Sequence, residues 1–243
     1  MLDFNKLYNS EFIAFKDCYK TCDSYCCSNF LGKTFKILSK NCVILPLLEE
    51  EYLYYKSKGG IQNITREKKE IYTLKNGKQL VLYFLYCECG GLCQPHAMRP
   101  LICRIYPYFP LVSLEGEILG FYPASLMDLF FSKKESHCCT LVREKDAETK
   151  AQLTKSLKML LESPLYIFVF RALEILAKTL QKHLNYACID TLNPQEKAGF
   201  LKQLEWSLLS NKAWDNAEFK DAITQEYEAV SKRYGDFLWK PTP

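Results

Sequence analysis

The chain reads as an α+β protein, with a cysteine-rich part bearing β-hairpins and short helices over residues 1–143 and an all-helical part over 144–243. Three observations predict this. Eleven of the twelve cysteines precede residue 140, and only Cys188 follows. An Asn76-Gly77 pair lies between two β-prone runs, the pattern of a two-residue hairpin turn in which both central residues need positive φ. From about residue 144, apolar residues recur at helical spacing with few turn residues between them.

The elements follow in order. Phe4, Leu7, Tyr8, Phe12, Ile13 and Phe15 have the spacing of an amphipathic helix over 4 to about 17, leading into the first cysteines. A second helix is expected from Pro46 to about Lys58. Proline suits a helix start, Glu49, Glu50 and Glu51 suit the positive end of the helix dipole, and Gly59-Gly60 supplies the stop. The hairpin comprises Glu70 to Lys75, the Asn-Gly turn, and Lys78 to Phe84. Its returning strand runs into Cys87, so the sheet brings a second cysteine group to a fixed place. A short hairpin is expected around Glu115-Gly116, between Phe109–Val112 and Ile118–Phe121. Helices are then expected over 144–162 and 165–183, from the Asn193-Pro194-Gln195-Glu196 start signal, and over 216–234 up to Gly235.

Composition narrows the function. With 48% hydrophobic residues in 243, the chain can bury a substantial core. A net charge of +4 is mild, and the densest charged stretch, Arg66-Glu67-Lys68-Lys69-Glu70, mixes both signs, so no nucleic-acid partner is implied. The amino terminus lacks the charged-apolar-small order of a secretory signal, and the Leu165–Phe170 run is too short to span a membrane. A cytoplasmic protein without a membrane partner is expected. In a reducing cytosol twelve cysteines do not persist as disulfides, and exposed thiols invite oxidation, so the clustered ones call for a metal.

Cys18, Cys22, Cys26 and Cys27 form the first group, spaced C-x3-C-x3-C-C. On a helix the first three share one face; in a loop the backbone can instead wrap a centre and aim several sulfurs inward. The second group is Cys87-Glu88-Cys89-Gly90-Gly91-Leu92-Cys93, where the paired glycines permit a tight turn. Cys103 follows in Arg99-Pro100-Leu101-Ile102-Cys103-Arg104-Ile105-Tyr106-Pro107, with Arg99 and Arg104 placed to offset thiolate charge. The main candidate ligands are Cys18, Cys22, Cys26, Cys27, Cys89, Cys93 and Cys103, followed by Cys87, Cys138 and Cys139. Cys42 and Cys188 read as small buried residues. His96 and His137 adjoin cysteine groups but read more readily as hydrogen-bonded histidines, and Glu88 as a solvated turn residue.

The four-cysteine opening that ends in a Cys-Cys pair, with Cys93, Arg99-Pro100 and Cys103-Arg104-Ile105-Tyr106-Pro107 after it, resembles the YkgJ-like cysteine-cluster family. That family is described as zinc- or iron-chelating and includes the flagellin lysine N-methylases. The likeness covers scattered pieces of about 18–140. It departs from the usual C-x2-C-x2-C-C opening, and Pro95-His96 stands where the family has an aromatic. It implies a cysteine-held metal, with Cys138 or Cys139 matching a later family cysteine.

The centre is expected to be an iron–sulfur cluster or zinc. The ferredoxin spacing is absent, and Cys18-x3-Cys22-x3-Cys26 is one residue longer than the radical S-adenosylmethionine motif. Two functional classes follow: an iron–sulfur oxidoreductase or methylase-like protein-modifying enzyme acting on a protein substrate, and a structural zinc module whose helical half binds a protein partner.

Overall fold

The structure, a computed structural model, describes residues 2–15, 18–27, 42–125, 128–131, 133–185, 188–210 and 213–238, without the side chains of 18 and 209. It is a mixed α+β fold with two small antiparallel sheets. Two compact units interleave along the sequence. The first comprises 1–72, 80–107 and 138–159; the second comprises 73–79, 108–137 and 160–243. The units do not follow the cut at 143/144, which divides the chain by cysteine and helix content.

In the first unit, helix α1 (Phe4–Asn9) is capped by Asp3, whose side chain accepts the Lys6 N–H. It stops well short of the expected end near 17. The Ser10 hydroxyl donates to Lys6 O at 2.7 Å, and the chain beyond is tied elsewhere, with Ala14 N–H donating to Gln152 at 2.7 Å. Strand β1 (Val43–Leu48) precedes helix α2 (Glu49–Ser57). Pro46 therefore belongs to a strand, not to the expected helix start. It pairs with Phe84 in a three-stranded sheet of order β1-β3-β2, with β2 over Ile64–Thr73 and β3 over Gln79–Cys87, where β1 is an edge strand, a place that tolerates proline's missing N–H.

Strands β2 (Ile64–Thr73) and β3 (Gln79–Cys87) form the expected hairpin, longer at both outer ends. The turn itself is longer than the expected two-residue Asn76-Gly77 one: Gly77 N–H donates to Leu74 O and Leu74 N–H to Lys78 O, and of the pair only Gly77 takes positive φ, +81°, the left-handed place that a longer hairpin loop reserves for glycine. The β1–β3 register sets Val43 opposite Cys87 and Leu45 opposite Leu85. Beneath the sheet Leu45, Leu47, Tyr55, Ile61 and Leu85 are buried together with Cys87, Cys89 and Cys93. The core and the cysteine group are thus one packed body. Helix α3 (Leu101–Ile105) carries Cys103, and α4 (Thr140–Glu144) and α5 (Asp146–Ser156) follow in this unit. The helix expected over 144–162 is present as two pieces, α5 and α6 (Lys158–Leu161), separated at Leu157, and Lys145 separates them from α4, which ends at Glu144.

In the second unit the expected short hairpin is present as β4 (Tyr108–Val112) and β5 (Ile118–Pro123). Helix α7 (Pro164–His183) packs against β4 and against α9 (Ala217–Tyr234), while α8 (Pro194–Ser210) lies between them in sequence. Arg171 joins these elements, pairing with Glu226 and donating to Val112 O at 2.7 Å. Asn193 and Glu196 form a reciprocal capping box at 3.0 Å, and Asn216 caps α9 through the Phe219 N–H. Among the described residues, no helix is long and apolar enough to cross a membrane.

Candidate metal centre

The first cysteine group lies in a loop, not on a helical face. Cys18–Lys20 is a single 3-10 turn, and 21–27 is a run of turns in which Asp23 and Ser24 take positive φ of 50° and 53°. Three backbone bonds close it: Ser24 N–H to Tyr19 O, Tyr25 N–H to Cys22 O and Cys27 N–H to Ser24 O. The loop delivers Cys26 and Cys27 side by side, their sulfurs 3.6 Å apart.

This loop meets the second cysteine group at Gly91. A Cβ there would stand 2.3 Å from Ser24 Oγ, so only glycine permits the approach, and φ of +89° reinforces the requirement. The approach has an electrostatic product: the Gly91 amide lowers the Cys27 thiol. Amide hydrogen bonds of this kind stabilise thiolate charge.

Four cysteines from three segments then lie within electrostatic reach of one another. Cys27 comes from the first loop, Cys87 from the end of β3, Cys93 from the turn after it and Cys103 from α3. Each of the six pairs among these four interacts electrostatically. Burial pushes the thiols of Cys87, Cys93 and Cys103 up, Cys93 to about 11, and the neighbouring cysteines add to the rise. Cys27 moves the other way. The hydrogen bond shared with Cys26 lowers it, and against the upward push of burial the Arg99 guanidinium and the Gly91 amide lower it further.

Arg99 lowers the thiols of Cys27, Cys93 and Cys103 together, while its own Nε is buried with no hydrogen-bond partner. A buried unpaired donor is costly, about 1–3 kcal/mol, and sulfurs carrying negative charge are the acceptors within its field. Arg104, the other expected arginine, is used differently. Its Nε donates to Arg99 O at 2.8 Å, Nη1 to Tyr8 O at 2.9 Å and Ser10 O at 3.3 Å, and Nη2 to Ala97 O. It braces backbone instead of reaching sulfur.

The remaining candidates flank the four. Cys89, near Cys87 and Cys93, donates to Gln62 O at 3.0 Å, and burial pushes its thiol far up. Cys26 feels Cys103 and Cys139 as well as Cys27. Cys139 is buried ahead of α4, Cys138 is exposed with its carbonyl accepting from Arg143, and Cys22 is half-buried. The side chain of Cys18 lies outside the described residues. Glu88 is exposed, with Thr65 Oγ1 3.5 Å from its carboxylate. His137 is buried in the second unit, 3.1 Å from Asp128 and beside the Phe131 ring, and His96 opens an exposed 3-10 turn. Sequence reasoning missed Gly91 as a hydrogen-bond donor and Glu51 as a buried group. The only signal for Glu51 is its position four residues before Tyr55, on the buried face of α2.

Among the described residues, no group of three or more His, Cys, Asp or Glu side chains is already drawn together to hold a metal ion. The donor chemistry nevertheless fits one. Four thiolates balanced by a dication leave a net charge of about −2, which an arginine and an amide N–H directed at sulfur would offset. No family model, curated protein or solved structure matches the chain.

Proposed function

We propose that this chain holds a zinc ion or an iron–sulfur cluster through Cys27, Cys87, Cys93 and Cys103, with Arg99 and the Gly91 N–H as its outer support. The observation that carries the reading is that four thiols from three separate segments of the first unit lie within electrostatic reach of one another, three of them also within reach of Arg99, whose buried Nε has no hydrogen-bond partner. An all-cysteine donor set suits tetrahedral zinc or an iron–sulfur core. The cysteine-cluster likeness of Cys93 to Pro107 points the same way and is part of the proposal.

The burial of Cys87 and Cys93, exposed by 4% and 7%, favours a closed centre that organises the first unit over one with an open coordination position. When bound, the metal neutralises the clustered thiolates and ties β3, the glycine turn, α3 and the first cysteine loop together. A protein partner or protein substrate belongs to the same reading.

The test is elemental analysis with an absorption spectrum on protein purified without oxygen. Zinc in a colourless protein supports a structural centre, and iron with sulfide in a brown one supports a cluster. A chain free of both metals overturns the proposal.

A further inference from the structure

Glu51 is a buried carboxylate that the thiol cluster does not use. It lies in the first turn of α2 and is 4% exposed. Its Oε1 accepts the Leu101 N–H at 2.7 Å and the Tyr8 hydroxyl at 3.0 Å. Leu101 opens α3, the helix that carries Cys103. The residue before it, Pro100, offers no side-chain cap, so Glu51 supplies from another element the acceptor that the helix start lacks.

The same hub holds the other end of the segment. Arg104 lies over the Tyr8 ring, 4.7 Å from its centroid, and donates to carbonyls of Tyr8, Ser10, Ala97 and Arg99. Residues 97–104 are thereby fixed to α1 by Arg104 and to α2 by Glu51. Both Arg99 and Cys103 lie on that segment. A buried carboxylate is expensive unless its acceptors are filled, and here the donors that fill them belong to α1 and the Cys103 arm.

We infer that Glu51 is the positioning residue of the metal centre: by holding the start of α3 it directs the Cys103 sulfur and Arg99 at Cys27, Cys87 and Cys93. This rests on the metal-centre reading above. Glu51 does not touch the metal; it removes the need to order the Cys103 arm at the moment of binding. Groups behind metal ligands typically contribute about 10–100-fold in affinity.

The test is an oxygen-free titration with cobalt(II) alone, read by thiolate-to-cobalt absorption, on the full chain and on Glu51→Leu, Glu51→Gln and Leu153→Ala. Leu153 is fully buried on α5 in the same unit, so its truncation destabilises the unit while leaving the Glu51 and Arg104 hydrogen bonds to the arm in place. Glu51→Leu should bind cobalt about 10–100-fold more weakly. Glu51→Gln keeps the acceptor oxygen and should stay within about threefold of the wild type. Leu153→Ala should lower the melting temperature and leave the affinity unchanged.

Equal affinity in Glu51→Leu overturns the inference, and so does a loss in Glu51→Gln or Leu153→Ala as large as that in Glu51→Leu. If Glu51→Leu does not fold, Tyr8→Phe carries the test: a severalfold loss of affinity is expected, and no loss overturns the inference. A wild-type chain that takes up no cobalt sinks the metal-centre reading itself, an outcome distinct from a wild type that binds as tightly as Glu51→Leu.

Discussion

Cys26 and Cys27 place their sulfurs 3.6 Å apart and share a hydrogen bond, and their thiols are driven in opposite directions: Cys26 well above the ordinary thiol range and Cys27 below it. Burial and the charges of Cys27, Cys103 and Cys139 add to the rise of Cys26, whereas Arg99 and the Gly91 N–H add to the fall of Cys27. Two adjacent residues of one kind therefore have different chemistry.

Reactivity should follow. In metal-free, reduced protein at mildly alkaline pH, iodoacetamide should modify Cys27 ahead of Cys26, because the thiolate is the nucleophile. Peptide mass spectrometry after brief labelling checks this. Arg99→Met should slow Cys27 labelling by removing the cation that holds its thiol down. Preferential labelling of Cys26 would contradict the opposite shifts of the two thiols.

Gly91 and Gly90 offer a matched comparison. Both take positive φ, but a Cβ at Gly91 meets Ser24 Oγ at 2.3 Å, while one at Gly90 meets nothing within 4 Å. Gly90→Ala should cost about 1 kcal/mol from backbone strain alone. Gly91→Ala should cost appreciably more, about 2–4 kcal/mol, and adding Ser24→Gly should recover part of the difference. Urea denaturation of the three variants measures both effects. Equal costs at the two glycines would show that the first cysteine loop does not close on the second.

Glu51 gives the first unit a pH dependence of defined sign. Burial raises its carboxyl from the usual range to about 7, against the opposing effects of the Leu101 N–H, the Tyr8 hydroxyl and Arg104. A raised carboxyl favours the protonated folded state, so its stabilisation is present below about pH 4.5 and is lost as pH rises to 7 and beyond. The loss is up to about 3 kcal/mol. Urea midpoints of metal-free protein between pH 5 and 8 should fall with pH, and Glu51→Gln should flatten that part of the curve. A wild type and variant with parallel profiles would contradict the raised carboxyl.

Much of the fold is legible in the sequence because local chemistry and tertiary context agree. Asn76-Gly77, the Asn193–Glu196 box and the Asn216 cap mark their elements from a few residues alone. Pro46 is misleading because a proline near glutamates suits a helix start and an edge strand equally, and only pairing with β3 decides. The break of the 144–162 pattern at Leu157 leaves apolar periodicity nearly intact, so spacing does not register it. For the site, clustering and glycine content single out a region but supply ten candidate cysteines. Reducing them to four, and separating Arg99 from Arg104, depends on which segments meet, and a single sequence does not record that.

Arg171 tests whether the cysteine set depends on the second unit. Its guanidinium pairs with Glu226 and donates to Val112 O, all within that unit. Arg171→Met leaves a half-buried carboxylate and a carbonyl without their donor and should cost about 2 kcal/mol. Calorimetry should show the loss, with metal content per chain unchanged. A parallel loss of metal would mean that the centre draws on residues beyond the first unit.

The most direct test of the four-thiol centre is metal content after single serine substitutions of Cys27, Cys87, Cys93 and Cys103, with Cys42 and Cys188 as controls, in folded protein purified without oxygen. Each of the first four should lose most of the zinc or iron carried by the wild type, and the two controls should retain it. Equal metal content in Cys103→Ser and Cys188→Ser would contradict the centre proposed here.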